Sequence, residues 1–274
     1  MPLSAFDSAA TARLGERAAR AADARRSRWV AAAALLALAV LGVPFIGLLL
    51  ATPWRALALQ PGDVAALAVS VRYTLLALLV VVLLGTPLAW VLARQSFRGK
   101  WLAEILVLLP LLTPPLAMGL LLAIAFGPYS SIGRVCAALG LSLSNTPAAF
   151  VLAQVYGSAP YFVIAARTAF EGVPRELEQI SLTLGQSPWR TFVRITLPLA
   201  RLGLVAGVAL AWVRALGEFG IVLIMAYYPR GIPVKLWVNL EDVGMPAVYP
   251  LLWLFLVIGL PLPLLLGLAA RRRT

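Results

Sequence analysis

The sequence of 274 residues contains no histidine. Histidine is the usual base of Ser-His and Cys-His nucleophilic pairs, a ligand in HExxH zinc sites, and a common member of proton relays. Its absence therefore excludes these classes of catalytic and metal-binding site.

Cysteine is nearly absent as well, because Cys136 is the only one. A single cysteine excludes an internal disulfide and a cysteine-based cluster, so we expect no bound metal. The sequence also lacks a G-x-x-x-x-G-K-[ST] phosphate-binding loop. If the protein takes part in an ATP-driven process, another chain must bind and hydrolyse the ATP. We therefore expect neither a cofactor nor enzymatic activity here.

Charged residues make up only 12% of the chain, against about a quarter in soluble domains. Hydrophobic residues make up 62%, and the mean hydropathy is +0.92. Windows of about 20 apolar residues, enough to cross a bilayer, recur at about 28–51, 69–93, 103–126, 147–169, 202–226 and 247–269. The sequence thus predicts an all-α polytopic membrane protein with about six transmembrane helices. Polar residues dilute the fourth window, and a five-span chain would place the two termini on opposite sides.

The distribution of basic residues tests this arrangement. With six spans and both termini in the cytoplasm, the cytoplasmic segments hold the basic clusters at 13–28, 94–100, 167–201 and 271–273. The outer loops keep only Arg55, Arg134, Arg230 and Lys235. This asymmetry follows the positive-inside rule and suits anionic lipid headgroups. No basic cluster is interleaved with exposed aromatic residues, so we expect no nucleic-acid partner.

Residues 1–27 are polar and rich in alanine and arginine, which predicts a cytoplasmic tail. A cleavable signal peptide is disfavoured, because its apolar stretch is about 7 to 15 residues long and the run after Arg28 is long enough to span. Residues 28–274 are predicted to form the transmembrane domain.

A polar stretch at about 171–198 carries the most specific pattern in the chain. Gly185 is followed, after nine residues, by Ile195, Leu197 and Pro198 at a fixed spacing. A chain of this composition should contain that skeleton by chance in roughly one per cent of cases. Glycine suits the end of a helix, and a serine followed by proline suits the start of one. The pattern therefore predicts two short helices joined just after the glycine.

One charged pair lies within a predicted span. Arg214 and Glu218, in the run WVRALGEFG that also holds Phe219, are four residues apart and share one face of a helix. Each charge near the centre of a span costs about 2.5 to 3.5 kcal/mol on an insertion scale, so this helix belongs inside a bundle or beside a watery path. The pair either lines an anion route or gate, or only braces the helix.

Prolines interrupt the third predicted span at Pro110, Pro114 and Pro115. Their freed carbonyls are tolerated where neighbouring helices or a cavity satisfy them. Kinked packing and a bend that lines the substrate path both explain them.

The outer segment at 227–246 is long and rich in turn residues. It is either a docking surface for an external partner or a solvated loop.

Three segments in colinear order, 69–100, 109–133 and 176–220, resemble the permease subunits of oxyanion ABC importers, those for molybdate, tungstate and sulfate. The most particular piece is RALGEFG, Arg214 to Gly220. The resemblance runs from about Val69 to the C-terminus, and with the continuation to residue 250 it is most similar to the molybdate/tungstate branch.

This resemblance implies the ABC importer permease fold, with a cytoplasmic coupling-helix loop that engages the ATPase. It implies a homodimer in a prokaryotic inner membrane, two cytoplasmic ATPase subunits that bind ATP, and an extracytoplasmic substrate-binding protein. The expected ATPase-coupling residues are Glu176, Glu178, Gln179, Ile180, Ser181, Gly185, Ile195, Leu197 and Pro198, with Gln179 to Ser181 in place of the family's usual Glu-Ala-Ala. The candidates for the translocation path or gate are Arg214, Glu218, Phe219, Pro114 and Pro115.

Other functions stay open at this stage. One alternative is a permease of the same superfamily that carries sulfate or thiosulfate, iron or a polyamine. No residue of the chain distinguishes molybdate from tungstate or sulfate, because the binding protein largely selects the solute. An intramembrane enzyme would need a nucleophile and a base facing each other within the spans, and the sequence offers no such pair. A polytopic sensor would need an appended signalling domain, which we do not expect in a chain of this length.

Overall fold

A computed structural model describes residues 29–271 of the chain, and every regular element in that range is a helix. This confirms the all-α prediction. The helices are α1 (Trp29–Ala51), α2 (Asp63–Arg94), α3 (Lys100–Leu112), α4 (Pro115–Phe126), α5 (Ser131–Ala138), α6 (Pro147–Glu171), α7 (Arg175–Thr183), α8 (Pro188–Thr191), α9 (Leu197–Leu216), α10 (Gly220–Met225), α11 (Ile232–Asp242), α12 (Met245–Gly259) and α13 (Pro261–Arg271). The tail predicted at 1–27 lies outside the described residues.

Five helical stretches are long and apolar enough to cross a membrane. They are Trp29–Ala51, Asp63–Arg94, Pro147–Glu171, Pro188–Leu216 and Met245–Leu268, and α3 with α4 makes a sixth if that bent pair counts as one span. The chain is therefore a polytopic membrane protein with five to six spans, as its composition predicts. The polar-diluted fourth window is a single helix of 25 residues.

The third predicted span, 103–126, consists of two helices separated by the predicted proline break. Its two halves, α3 and α4, are bent by 117° at a short break. Prolines at 114 and 115 lack the N–H that would continue the helical bonding, and the residue before a proline is driven to extended backbone. Thr113 accordingly has φ −85° and ψ 127°, and Pro115 begins α4, where proline is tolerated. The paired prolines separate two half-helices instead of kinking one.

The fifth predicted span, 202–226, is displaced along the chain. The observed helix begins earlier, at Pro188, and ends at Leu216, and three residues separate it from α10. The break follows from Glu218, whose carboxylate accepts the backbone N–H of Ile221 at 3.0 Å. A carboxylate that bonds the backbone ahead of it favours a helix start over helix continuation.

The chain divides into two compact units, residues 1–56 and 57–274. In the described part of the first unit, α1 is followed by a 3-10 turn at Trp54–Ala56. The remaining helices belong to the second unit.

The core of the second unit lies where α2, α6 and α9 pack together. Phe162 and Phe170 of α6, Leu92 of α2 and Trp212 of α9 are among its buried side chains. A Cβ atom at Gly85 would lie 2.7 Å from the ring of Phe162, so the glycine lets α2 and α6 approach closely. These three helices form the scaffold that positions the loops at both ends of the bundle.

The predicted outer segment forms the helix α11, which is fixed to the start of α2. Asp63, which precedes the predicted second span at 69–93, is the first residue of α2 and is fully buried. Its carboxylate accepts a hydrogen bond from the Asn239 amide at 3.0 Å and lies 3.8 Å from Lys235 Nζ. Ser70 Oγ also accepts the backbone N–H of Ile232 at 2.7 Å. The segment is therefore an ordered helix, not a solvated loop.

Candidate functional site: the coupling loop and the paired helix breaks

The coupling loop begins with the short helix α7, which ends at Gly185 as predicted. Gly185 has a left-handed φ of 82°, a conformation that L side chains adopt at a cost. Its N–H bonds to Leu182 O at 3.0 Å, and the Gln186 N–H bonds to Ser181 O at 3.1 Å. These two bonds make the Schellman motif, which closes a helix and reverses the chain.

The second helix of the loop starts at Pro188 after the predicted cap. Ser187 Oγ accepts the Arg190 N–H at 3.3 Å, which satisfies one free donor of the first turn. This helix does not stop, however, because α8 continues through a π-helical segment, Phe192–Thr196, into α9. The Leu197 N–H bonds to the Phe192 carbonyl, five residues back, and in a regular α-helix the ring of Pro198 would clash with the carbonyl four residues before it.

Ile195, Leu197 and Pro198 therefore lie inside a helix and not in a loop. Together with Ile180 and Ser181 of α7, Ile195 and Pro198 line one groove of about 490 Å³. The structure thus brings the two halves of the sequence pattern together. Gln179 and Ile180 are exposed, and Ile180 presents 55% of its surface.

The three residues Gln179, Ile180 and Ser181 do not all face the same direction. Ser181, unlike its two neighbours, is buried, and its hydroxyl lies 2.9 Å from that of Thr191. This contact joins α7 to α8 across the turn at Gly185. Of these three residues, only Gln179 and Ile180 are exposed and therefore accessible to another subunit.

The two acidic residues on the adjoining turn also differ. Glu176 is exposed and makes no hydrogen bond or ion pair within residues 29–271. Glu178 accepts from Arg94 Nη2 at 3.0 Å and from the Thr196 hydroxyl at 2.6 Å. In the sequence the two glutamates are equivalent, and Arg94 is one of several basic residues near the ends of the predicted spans. No local signal pairs Glu178 with Arg94, because 84 residues separate them.

The charged pair of the fifth span forms as its spacing predicts. Arg214 Nη1 lies 2.5 Å from Glu218 Oε2, with side chains 27% and 0% exposed, respectively. Glu218 itself lies beyond the end of α9, so the pair closes the helix instead of lying along it. The guanidinium also lies 5.8 Å from the ring centre of Tyr161, a cation–π distance.

A third polar residue, missed in the sequence, completes this region. Gln154 of α6 is buried, and its amide donates to Thr74 Oγ1 at 2.8 Å and to the Ala215 carbonyl at 2.9 Å. It therefore links α6 to both α2 and α9 beside the helix break. A glutamine in an apolar window is the available signal, because a buried amide needs partners.

The breaks in the third and fifth spans lie against each other. A Cβ atom at Gly220 would lie 2.6 Å from the Pro115 Cβ, and one at Gly119 would lie 3.2 Å from the Ile221 Cα. The glycines thus allow α4 and α10 to make close backbone contact. Phe219, in the break between α9 and α10, packs on Trp237 of α11 with ring centres 5.9 Å apart.

The predicted path residues therefore share one region, and the predicted coupling residues share another. The helix Pro188–Leu216 connects them, since it carries Ile195 and Leu197 near its start and Arg214 near its end. One continuous helix therefore joins the surface around Gly185 to the polar region around Arg214.

Comparison with known proteins agrees with this architecture. A family model described as the binding-protein-dependent transport system inner membrane component matches residues 85–274. The molybdenum transport system permease protein ModB of Mycobacterium tuberculosis is 37% identical over 251 residues, 89% of this chain and 94% of that protein. A probable molybdenum ABC transporter permease protein of Haloferax volcanii is 43% identical over 181 residues, 66% of each chain. The molybdate/tungstate transport system permease protein WtpB of Thermococcus kodakarensis is 34% identical over 173 residues, 63% of this chain and 65% of that protein.

The fold is also found among solved structures. A bacterial ABC transporter that imports the acidic polysaccharide alginate contains a chain that superposes with a TM-score of 0.69 at 17% identity, covering 90% of this chain and 96% of that one. The family match includes the coupling loop and both helix breaks. The chain therefore belongs to the family of binding-protein-dependent transport system inner membrane components, and is, as predicted, the permease subunit of an ABC importer and not an enzyme.

Proposed function

We propose that this permease imports an oxyanion, and specifically molybdate or tungstate. The observation that carries the proposal is the similarity to a molybdenum permease along 89% of the chain. The similarity to a molybdate/tungstate permease of an archaeon supports the same solute class. No feature of the described residues favours sulfate, thiosulfate, iron or a polyamine instead.

The working assembly in this proposal has two copies of the permease in the inner membrane, with both termini in the cytoplasm. Two ATPase subunits bind ATP and contact the exposed coupling-loop residues, and an extracytoplasmic binding protein delivers the solute. The basic clusters support the orientation, since the coupling loop and the chain ends hold most of the positive charge.

The cycle follows from the two joined sites. Closure of the ATPase pair displaces α7, and the continuous helix Pro188–Leu216 transmits this movement to the region of Arg214. There, the breaks at Pro114 and Pro115 and at Phe219 provide half-helix ends and short unwound backbone, features that line substrate sites in other transporters. Glu218 holds one side of the guanidinium of Arg214, and the exposed remainder is available to the passing dianion. The chain performs no chemistry on the solute.

A binding experiment tests the solute class. The cognate binding protein is titrated calorimetrically with molybdate, tungstate, sulfate and ferric ion, and then added to the reconstituted permease–ATPase complex. The proposal predicts tight binding of molybdate or tungstate and stimulation of ATP hydrolysis by that loaded form. Tight binding of sulfate or iron, with stimulation by that solute alone, would assign the permease to the alternative class.

A further inference from the structure

Glu178 is the point at which the coupling helix is tied to the rest of the molecule. Its Oε1 atom accepts from Arg94 Nη2, at the cytoplasmic end of α2, and from Thr196 Oγ1, in the π-helical segment before α9. The side chains of Arg94 and Glu178 are only 8% and 16% exposed. Hydrogen bonds between ionised groups are about twice as strong as neutral ones, and low exposure limits screening by water and salt.

Further bonds reinforce the same contact. Arg94 Nη2 also donates to the Val173 carbonyl at 2.9 Å, just before α7. In return, Arg175 Nη2 reaches the Ala93 carbonyl at 3.4 Å, at the end of α2. The start of the coupling helix is therefore bonded to α2 twice, because Arg94 of α2 donates to the backbone before α7, and Arg175 of α7 donates to the backbone of α2.

Glu176 offers an internal comparison. It lies two residues before Glu178, and positions two apart on a helix face different directions. Its side chain is exposed, whereas that of Glu178 is turned towards the other helices. Of the two acids that the sequence offers as ATPase contacts, only Glu176 is placed to meet another subunit.

Resting on the proposed function, we propose that Arg94 and Glu178 are positioning residues for coupling, and that Glu178 is not an ATPase contact. Glycine, which has the widest range of backbone conformations, flanks α7 on both sides, at Gly172 and Gly185. A helix held only by such connections could be displaced without moving the spans. The bonds of Glu178 to α2 and to the start of α9 make the three helices move as one body, so a displacement imposed by the ATPase reaches Arg214.

A double-mutant cycle tests this tie. The variants are Arg94→Met, Glu178→Gln and their combination, and the matched control is Arg98→Met, at an exposed arginine that makes no hydrogen bond or ion pair in the part of the chain described. Each permease is co-purified with its ATPase, and the measured quantity is the factor by which solute-loaded binding protein stimulates ATP hydrolysis. We expect each single variant to lower this factor by about 5-fold or more, the lower end of usual coupling between sites. The double variant should lose clearly less than the product of the two single losses, because both single variants remove the bond between Arg94 and Glu178.

Two milder variants keep the test decisive if Arg94→Met fails to assemble. Thr196→Val removes only the hydroxyl that donates to Glu178, and Arg94→Lys keeps the positive charge but loses the planar fork. We expect both to assemble and to show partial loss of stimulation, whereas a purely structural role would leave the factor unchanged in every variant that assembles.

The contrary result is equally specific. Wild-type stimulation in Arg94→Met or Thr196→Val, together with loss in Glu178→Gln, would show that Glu178 acts on the ATPase directly and would overturn the proposal. Losses that multiply in the double variant would do the same. The cycle uses whichever loaded binding protein stimulates the wild-type complex, so a wrong solute appears in the wild type and leaves the test of the tie intact.

Discussion

We predict that replacing Arg214 and replacing Glu218 destabilise the protein by different amounts, although the two residues form one ion pair. The Glu218 carboxylate is fully buried, while the Arg214 side chain is 27% exposed. Replacing Arg214 with methionine leaves a buried carboxylate without a counter-ion, which costs about 3 to 5 kcal/mol. Replacing Glu218 with glutamine keeps an oxygen that can accept the N–H of Ile221, and the remaining guanidinium still has water and the ring of Tyr161.

We therefore expect Glu218→Gln to cost less, about 0.5 to 3 kcal/mol, the usual range for a single substitution, because it removes the buried charge together with the ion pair. The double variant Arg214→Met/Glu218→Gln should recover most of the stability lost in Arg214→Met, since no buried charge is left unpaired. Thermal unfolding of the detergent-solubilised permease–ATPase complex measures this order. Val213→Met is the control for side-chain volume, because Val213 is 49% exposed on the same helix. Equal stability losses in the two single variants would refute this asymmetry.

The same double variant separates a path role of Arg214 from bracing. If the guanidinium contacts the passing dianion, its removal forfeits one charged hydrogen bond of about 1.5 to 3 kcal/mol, which corresponds to about 10- to 150-fold slower import. We expect the double variant to insert, to dimerise and to bind the ATPase, but to import at this reduced rate. The assay is uptake of labelled oxyanion into proteoliposomes containing equal amounts of assembled complex. Near-normal uptake would contradict the path role and leave bracing as the function of the pair.

Three further predictions address the loop, the topology and the outer helix. Gly185→Val should lower stability by about 1 kcal/mol or more through backbone strain alone, because the position has a left-handed φ and a Cβ there would contact nothing within 4 Å. It should also reduce the stimulation of ATP hydrolysis by the binding protein, and unchanged stimulation would show that the loop only connects helices. In a variant lacking Cys136, a cysteine at Gln186 should react only from the cytoplasm and one at Lys235 only from outside, and external labelling of Gln186 would reverse the proposed orientation. Asp63→Ala should destabilise the complex by about 2 to 5 kcal/mol in thermal unfolding, since it removes the buried acceptor of the Asn239 amide and the carboxylate nearest to Lys235. A change below about 1 kcal/mol would mean that other contacts hold α11.

Local patterns in the sequence predicted local structure accurately. The left-handed end of α7 at Gly185, the cap at Ser187 and the pairing of Arg214 with Glu218 all depend on residues within one or two turns. Four of the hydropathy windows, at 28–51, 69–93, 147–169 and 247–269, likewise fall on single apolar helices, because a bilayer fixes the length of an apolar segment.

The features that the sequence did not reveal depend on contacts between distant residues. Gln154 meets Thr74 across 80 residues, and Glu178 meets Arg94 across 84. The prolines predicted a break in the third span but not its angle, because they permit either a kink or a full turn. The close fit of Gly119 and Gly220 between α4 and α10 favours the turn. Predicting these sites requires knowing which helices are neighbours.

The most direct test of the central claim is ATP-driven uptake by the defined assembly. Proteoliposomes containing the permease and its ATPase are loaded with ATP and given the cognate binding protein with radiolabelled molybdate, alone or with excess tungstate, sulfate or ferric ion outside. We predict ATP-dependent accumulation of molybdate that tungstate suppresses strongly and ferric ion does not. No accumulation of molybdate by an assembly that imports another solute would contradict the assignment.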